Sequence, residues 1–213
     1  MNAVTMFPLS DPEAAAACAD ALAAGESIVI PTDTVYGIAA DATNPAAVDR
    51  LQALKGRDAA TPPPLLIADA EVLPRIVETI PSGAAAVAEA LWPGALTLIV
   101  DAQAGSPYYV GFGVATVAVR VPDHPQVRAL LRRLGVLAVS SANRHGEPPA
   151  TTVDEAIAAF GDEVAVYLDG GPTPGAVPST VVDFSQGTSG RVLRAGAIDP
   201  GLIERIVEGA QHA

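Results

Sequence analysis

Short apolar segments typical of buried strands alternate along the whole chain with segments typical of helices. Strands are predicted at Ser27–Pro31, Ala95–Val100 and Val136–Ser140, whereas Asn44–Pro45 opens a helix with Val48, Leu51 and Leu54 on one face. A chain in which helices interleave with strands folds as an α/β domain. We therefore expect one sheet with helices packed against it.

The remaining strand predictions decide what kind of sheet this is. The last two of them are joined by a short link, which looks like a hairpin, so the sheet is expected to be mixed rather than wholly parallel. These strands are predicted at Leu65–Ala68, Thr116–Val121, Val164–Leu168, Thr180–Phe184 and Arg191–Leu193.

Three helix starts are predicted from capping signals. Ser10 with Glu13 and Thr152 with Glu155 have the spacing of capping boxes, and Ser82 is placed to cap the helix that runs to Trp92. The turn-rich segment Gly170–Gly175 is predicted to be a surface crossing or a flap. We expect one domain over residues 1–213.

Charge and composition exclude several classes of function. The net charge of −12 disfavours nucleic-acid binding through the whole surface, since phosphate contacts need clustered cations. Cys18 is the only cysteine, which excludes an intrachain disulfide, and the three histidines lack metal-ligand spacing. No segment has the pattern of a signal peptide or the length of a membrane span. We expect a soluble, cytoplasmic protein.

Lysine usage singles out one position. Lys55 is the only lysine among twelve basic residues, so either chance or a chemical demand placed it there. Lys55 and Arg57 end a predicted helix, where cations are favoured anyway. On an irregular segment, however, the two side chains can converge on one polyanion.

Polar groups follow several predicted strands. The segment PTDTVYG (31–37) supplies hydroxyl groups where ligands commonly bind in α/β sheets, although an ordinary turn explains it equally well. Arg120 lies within an apolar strand, so it either faces outward or reaches an anion. In SSAN (140–143), a serine and an asparagine can hydrogen-bond to a phosphate or to the edge of a base, but no histidine is placed to activate the serine. Neither a Walker loop nor a Rossmann fingerprint is present.

Together these segments resemble the YrdC-like threonylcarbamoyl-AMP synthase family from about Asp11 to Gly201. The resemblance rests on seven motifs in the family's order, namely PTDTVYG, KGR, WPGALT, VRVPDH, SSAN, PSTVVD and LRAG. It implies an α/β fold with a twisted, mixed open sheet, flanking helices and a basic concave cleft. We expect no appended C-terminal domain of the kind that some members carry.

The resemblance implies a nucleotidyltransferase that makes threonylcarbamoyl-AMP and pyrophosphate from L-threonine, bicarbonate and ATP. The product would serve the threonylcarbamoyl-adenosine modification of tRNA through downstream threonylcarbamoyl-transferase proteins. Mg²⁺ is expected on the ATP phosphates rather than in a metal site of the protein. The alternatives are a module that binds double-stranded RNA or tRNA weakly, and a related domain that adenylates a different acceptor.

By resemblance, each substrate has its own residues. Those for L-threonine are Thr34, Arg120, Ser179 and the backbone near Val139. Those for ATP are Lys55, Arg57, Thr61, Thr116, Ser141, Asn143 and Arg194, of which Lys55 and Arg57 would stabilise the charge that develops in catalysis. The chain departs from the family pattern at Asp58, after KGR, at Leu66, where some members have histidine, and at Pro149, where some have serine.

Overall fold

The computed structural model describes residues 4–56, 62–108 and 115–212 of the chain. Its helices are α1 (Ala14–Ala23), α2 (Pro45–Lys55), α3 (Ser82–Leu91), α4 (Pro125–Leu134), α5 (Val153–Phe160) and α6 (Pro200–Gln211). Two 3₁₀ segments lie at Ala70–Arg75 and Gly161–Glu163. The alternation predicted from the sequence is therefore confirmed.

The strands join into one sheet. They are β1 (Met6–Pro8), β2 (Ile28–Ile30), β3 (Gly37–Asp41), β4 (Leu65–Leu66), β5 (Leu96–Asp101), β6 (Thr116–Arg120), β7 (Leu137–Ser141), β8 (Val166–Asp169), β9 (Thr180–Asp183) and β10 (Arg191–Arg194). Their order across the sheet is β1-β8-β2-β3-β7-β4-β6-β5-β9-β10.

The sheet is mixed, as predicted. Strand β8 pairs in parallel with β1 and β2, and the pairs β4–β6 and β5–β9 are parallel as well. The other neighbours are antiparallel, including the predicted hairpin of β9 and β10. Because the order leaves β1 and β10 at opposite ends, the sheet is open.

Helices cover both faces of the sheet, which explains why central strands are apolar along their whole length. Strand β2 shows this directly: Ile28 and Ile30 pack in the cluster that contains residues of α1 and α4, whereas Val29 packs in the cluster with α2 and α5. All three side chains are fully buried. A further cluster joins α3 and α6 to the half of the sheet around β5 and β6.

Several local predictions need correction. Ser82 does not cap α3, whose N-cap residue is Pro81 without a side-chain bond. The expected box at Ser10 is also wrong, because α1 begins at Ala14 and the Asp11 carboxylate instead accepts a bond from Glu13 N.

The second capping box is correct in one half. Thr152 Oγ1 accepts from Glu155 N at 3.3 Å, as predicted. The Glu155 carboxylate accepts mainly from the residue before the N-cap, from Thr151 N at 2.6 Å and from Thr151 Oγ1 at 2.9 Å. These two bonds, with a smaller contribution from the backbone of Thr152, lower the pKa of Glu155.

The first and last residues of several strands also differ from the predicted ranges. Strand β4 has only two residues, Leu65–Leu66, and β8 begins at Val166 and not at Val164. Strands β1 and β3 have no counterpart among the predictions. Within the described ranges, no helix is long and apolar enough to cross a membrane.

Candidate functional site

A cavity of about 270 Å³, here called the main cavity, lies where several strands begin or end. Arg120, Ser141 and Arg194 are the last residues of β6, β7 and β10. The main cavity is lined by seven of the eleven residues predicted for the site, namely Thr34, Arg120, Val139, Ser141, Asn143, Ser179 and Arg194. Distant parts of the sequence therefore converge as expected.

Arg120 is buried, with 6% of its surface exposed, and its guanidinium is held from three sides. Nε donates to Gly94 O at 3.1 Å, Nη1 donates to Thr34 Oγ1 at 2.9 Å, and Nη2 pairs with Asp33 Oδ1 at 2.6 Å. Burial lowers the pKa of Arg120, and the Asp33 carboxylate partly offsets this. Of the two alternatives, the sequence hypothesis that Arg120 reaches an anion is correct, and that anion is Asp33.

The turn after β2 is built around the hydroxyl of Thr32. Thr32 Oγ1 donates to Val35 O at 2.6 Å, accepts from the backbone N–H groups of Thr34 and Val35, and lies 3.0 Å from Thr34 Oγ1. Thr32 and Thr34 are both buried. The segment PTDTVYG is thus a turn that also places a hydroxyl group against Arg120, so its two interpretations are not exclusive.

Ser179 and Arg194 form a second polar group at the main cavity. Arg194 donates from Nε and Nη2 to Ser179 O, at 3.3 and 2.8 Å, and from Nη2 to Ser179 Oγ at 3.3 Å. Ser179 Oγ also lies 2.8 Å from Thr97 Oγ1, which lines the cavity as well. Thr97 lies in the motif WPGALT, but sequence reasoning gave it no role.

Gly196 of the motif LRAG packs against the backbone at Ser179. A Cβ atom at Gly196 would lie 2.6 Å from Ser179 O and closer still to Pro178 O. Because these are backbone atoms, they cannot yield without moving Ser179. The glycine therefore permits the close approach that sets the position of Ser179.

Gly196→Ala is expected to lower the free energy of unfolding by about 2 kcal/mol or more, because the added methyl group forces the backbone at Ser179 away. Chemical denaturation measures the effect. Gly209→Ala is the matched control: no atom lies within 4 Å of the added Cβ, and this helical site should gain up to about 1 kcal/mol. An unchanged stability of the first variant would contradict the argument.

Lys55 is fully buried at the end of α2, and its ammonium group faces the end of β7. Nζ donates to Ser141 O, to Asn143 O at 2.7 Å and to Asn143 Oδ1 at 3.4 Å. Lys55 is absent from the lining of the main cavity, whereas Ser141 and Asn143 belong to it. In this structure Lys55 therefore fixes the wall of the cavity from behind.

Asn143 is similarly committed. Its Nδ2 donates to Arg144 O at 2.9 Å and to Glu147 O at 2.7 Å, which closes the loop after β7. Both N–H groups of the side-chain amide thus have backbone partners. The side chain lines the cavity and at the same time sets the shape of the loop.

Arg144 connects this loop to two helices. Its Nη1 donates to Leu54 O near the end of α2, and its Nε donates to Ala159 O near the end of α5 at 3.0 Å. The guanidinium also pairs with Glu163 and stacks 5.0 Å from the centre of the Phe160 ring. No motif in the sequence pointed to this residue.

Thr116, unlike the other described residues predicted for ATP, is neither in the lining of the main cavity nor bonded to it, and Arg57 and Thr61 lie outside the described residues. Thr116 begins β6, pairs with Asp101 and lies four residues from Arg120, which is about 13 Å along a strand. The structure thus places Thr116 at the opposite end of its strand from the cavity.

Two departures from the family pattern border the main cavity. Leu66 and Pro149 both line it, and Leu66 pairs with Arg120 across β4 and β6. Asp58 lies outside the described residues. The wall at Leu66 is therefore apolar beside a buried cation, and this wall can contact only an apolar part of a ligand.

A second cavity of about 450 Å³ is lined by Asp33, which is absent from the lining of the main cavity. Its lining includes Gly94, His124 and the segment from Gly170 to Pro174. Tyr36 anchors this segment, because its hydroxyl donates to Gly171 O at 2.7 Å and accepts from Gly170 N at 3.2 Å. The turn-rich loop therefore borders the second cavity and is absent from the lining of the main one.

The fold and the main cavity define a class of protein: α/β domains that bind a small anionic ligand through guanidinium and hydroxyl groups at strand ends. Among its described residues, Arg120 and Arg194 are the only charged ones that line the cavity. Residues 20–196 match the Sua5/YciO/YrdC family, whose description is telomere recombination. The chain belongs to this family.

Relatives and solved structures agree with that membership. A Mycobacterium tuberculosis protein is 41% identical over 206 residues, which cover 95% of this chain and 93% of the relative. The threonylcarbamoyl-AMP synthase of Bacillus subtilis is 38% identical over 93% of this chain and 57% of its own length. The crystal structure of Pyrococcus abyssi Sua5 complexed with L-threonine is 31% identical, with a TM-score of 0.87, over 96% of this chain and 61% of that one.

Proposed function

We propose that this protein is an L-threonylcarbamoyladenylate synthase, a nucleotidyltransferase that makes threonylcarbamoyl-AMP and pyrophosphate from L-threonine, bicarbonate and ATP. The observation that carries the proposal is the buried guanidinium of Arg120, which lines the main cavity beside the hydroxyl of Thr34. Relatives that bear the synthase name, and a solved relative complexed with L-threonine, support the choice of substrate.

The carboxylate of L-threonine would bind Arg120, because a guanidinium offers paired N–H donors to a carboxylate. Hydroxyl groups of Thr34 and Ser179 lie on the same cavity, where they can bind the polar groups of the amino acid. This arrangement leaves the amine as the reacting group. The ammonium group of the bound amino acid first loses a proton to water, the free amine attacks bicarbonate with loss of water, and the resulting carbamate oxygen attacks the α-phosphorus of ATP and expels pyrophosphate.

The protein needs no covalent nucleophile for this reaction, because the carbamate supplies the attacking oxygen. Its contribution would be to position the substrates and to stabilise the negative charge on the leaving pyrophosphate. Arg194 and Ser141 lie on the same cavity and are proposed to contact the nucleotide. Arg57 and Thr61 remain proposed contacts on the family resemblance alone.

Mg²⁺ is proposed to accompany ATP and to be held mainly by its phosphates and water. Among the described residues, no group of three or more acidic, histidine or cysteine side chains is placed to hold a metal ion. The ion would neutralise phosphate charge. The side chains proposed above would position the nucleotide independently of it.

The test is pyrophosphate release by the purified chain. Release is expected only when L-threonine, bicarbonate and ATP are all present, because the carbamate forms from the first two and attacks the third. Assays that omit one substrate at a time are the controls, and mass spectrometry of the adenylate identifies the product. Release at background level with all three substrates would overturn the proposal.

A further inference from the structure

The hydrogen-bond partners of the Arg120 guanidinium are divided between the linings of the two cavities. Its hydrogen-bond partner Thr34 lines the main cavity, whereas its partners Asp33 and Gly94 line the second one. Asp33 itself does not line the main cavity. The Asp33 carboxylate can therefore affect a ligand in the main cavity only through its bond to Arg120 or through its electric field.

The hydrogen bonds of Arg120 leave room for one more acceptor. A guanidinium has five N–H groups, and three of them donate to Gly94 O, Thr34 Oγ1 and Asp33 Oδ1. Within the described part of the chain, one N–H on each terminal nitrogen has no partner. These two groups suit a carboxylate, which would then share the guanidinium with Asp33.

The charges of Arg120 and Asp33 affect the binding of a ligand carboxylate more than the geometry of the pair does. The two side chains are 8% and 13% exposed, so water screens their fields only weakly. Asp33 cancels the charge of Arg120 before any ligand arrives. A ligand carboxylate that binds Arg120 is therefore attracted by the cation and repelled by the Asp33 carboxylate at the same time.

We propose that Asp33 is a specificity-determining residue that selects a zwitterionic amino acid against a simple carboxylate anion. This inference rests on the proposed function, in which Arg120 binds the carboxylate of L-threonine. A zwitterion adds no net charge beside the neutral pair, since its ammonium offsets the repulsion from Asp33. A carboxylate without an ammonium adds an uncompensated negative charge and binds less tightly.

Asp33→Asn removes the negative charge and keeps the size of the side chain, and its amide oxygen can still accept a hydrogen bond from Nη2 of Arg120. Two ligands are compared by calorimetric titration of the full chain: L-threonine and (R)-3-hydroxybutyrate, which is L-threonine without its amine. The variant is expected to lower the preference for L-threonine over (R)-3-hydroxybutyrate at least tenfold. A purely structural role for Asp33 would weaken both ligands and leave their ratio unchanged.

Asp69→Asn is the matched control, since Asp69 pairs with Arg128 and Arg132 and lines neither cavity. The Asp69→Asn variant should have the same ratio of affinities for L-threonine and (R)-3-hydroxybutyrate as the unmodified chain. Where Asp33→Asn does not fold, Asp33→Ser serves, with the same expected shift.

Two outcomes overturn the inference in distinguishable ways. If L-threonine binds but the ratio in the Asp33 variant stays within about twofold, or (R)-3-hydroxybutyrate still fails to bind that variant, only the role of Asp33 is wrong. If the unmodified chain does not bind L-threonine, the proposed function falls together with the inference.

Discussion

Arg120→Lys is expected to lower kcat/KM for L-threonine at least a hundredfold while changing KM for ATP less than about threefold. Lysine keeps a positive charge beside Asp33 but cannot reproduce the planar fork that donates to Gly94 O, Thr34 Oγ1 and Asp33 together. A ligand carboxylate would lose the paired donors that orient it. Steady-state pyrophosphate release at varied L-threonine and at varied ATP measures the two parameters separately.

Arg128→Lys is the matched control for this variant. Arg128 is bonded in a similar way, with Nε donating to Ala68 O at 2.8 Å and Nη2 paired with Asp69, but it lines neither cavity. Its replacement should leave both KM values unchanged. An Arg120→Lys protein with normal KM for L-threonine would show that the carboxylate binds elsewhere.

Lys55→Met is expected to remove at least 99% of the pyrophosphate release and to lower the free energy of unfolding by about 1–3 kcal/mol. Methionine fills most of the same space but leaves the buried backbone carbonyl of Asn143 without its ammonium donor, whereas Ser141 O keeps its bond from Asn143 N. A buried carbonyl group without a donor costs about 1–3 kcal/mol. The loop after β7 should then shift, and with it the wall that is proposed to contact the nucleotide.

Urea denaturation and the pyrophosphate assay measure the two effects of Lys55→Met. Arg50→Met is the control on the same helix, because Arg50 forms an exposed ion pair with Glu26 and exposed pairs contribute about 1 kcal/mol or less. Normal stability in the Lys55 variant would contradict the structural role. Normal activity would remove Lys55 from the site altogether.

The site was predicted best where a rule of physical chemistry applied to a single residue. A charge within an apolar strand must face water or find a partner, and this argument correctly singled out Arg120. It could not name Asp33, which lies 87 residues away and meets Arg120 only when β6 and the turn after β2 come together. Pairing over such distances depends on the order of strands in the sheet.

Lys55 shows a second limit of the sequence. Its isolation in the composition left chance and a chemical demand as alternatives, and two of the partners that the structure shows for it are backbone carbonyl groups. Any residue type supplies a backbone carbonyl, so no sequence pattern can predict such a contact. The sequence therefore singled out Lys55 as a position of interest but could not predict the groups that it contacts.

The fold was predictable to the extent that hydrophobic periodicity decided it, whereas two of the three predicted capping signals were wrong. The alternation of helices and strands and the hairpin of β9 and β10 followed from the sequence. Strands β1 and β3 were missed, since β1 has three residues and Gly37–Asp41 follows directly on a turn. Both depend on neighbouring strands for their hydrogen bonds, which local signals do not report.

The bonds of Arg144 join the last turns of α2 and α5 to the loop after β7 through one side chain. Local opening in this region is therefore cooperative, because no one of the three segments can separate without breaking bonds to the others. Amide protons of the three segments should exchange with deuterium at a common rate. In mechanical terms, this part of the enzyme would respond to a nucleotide as a single body.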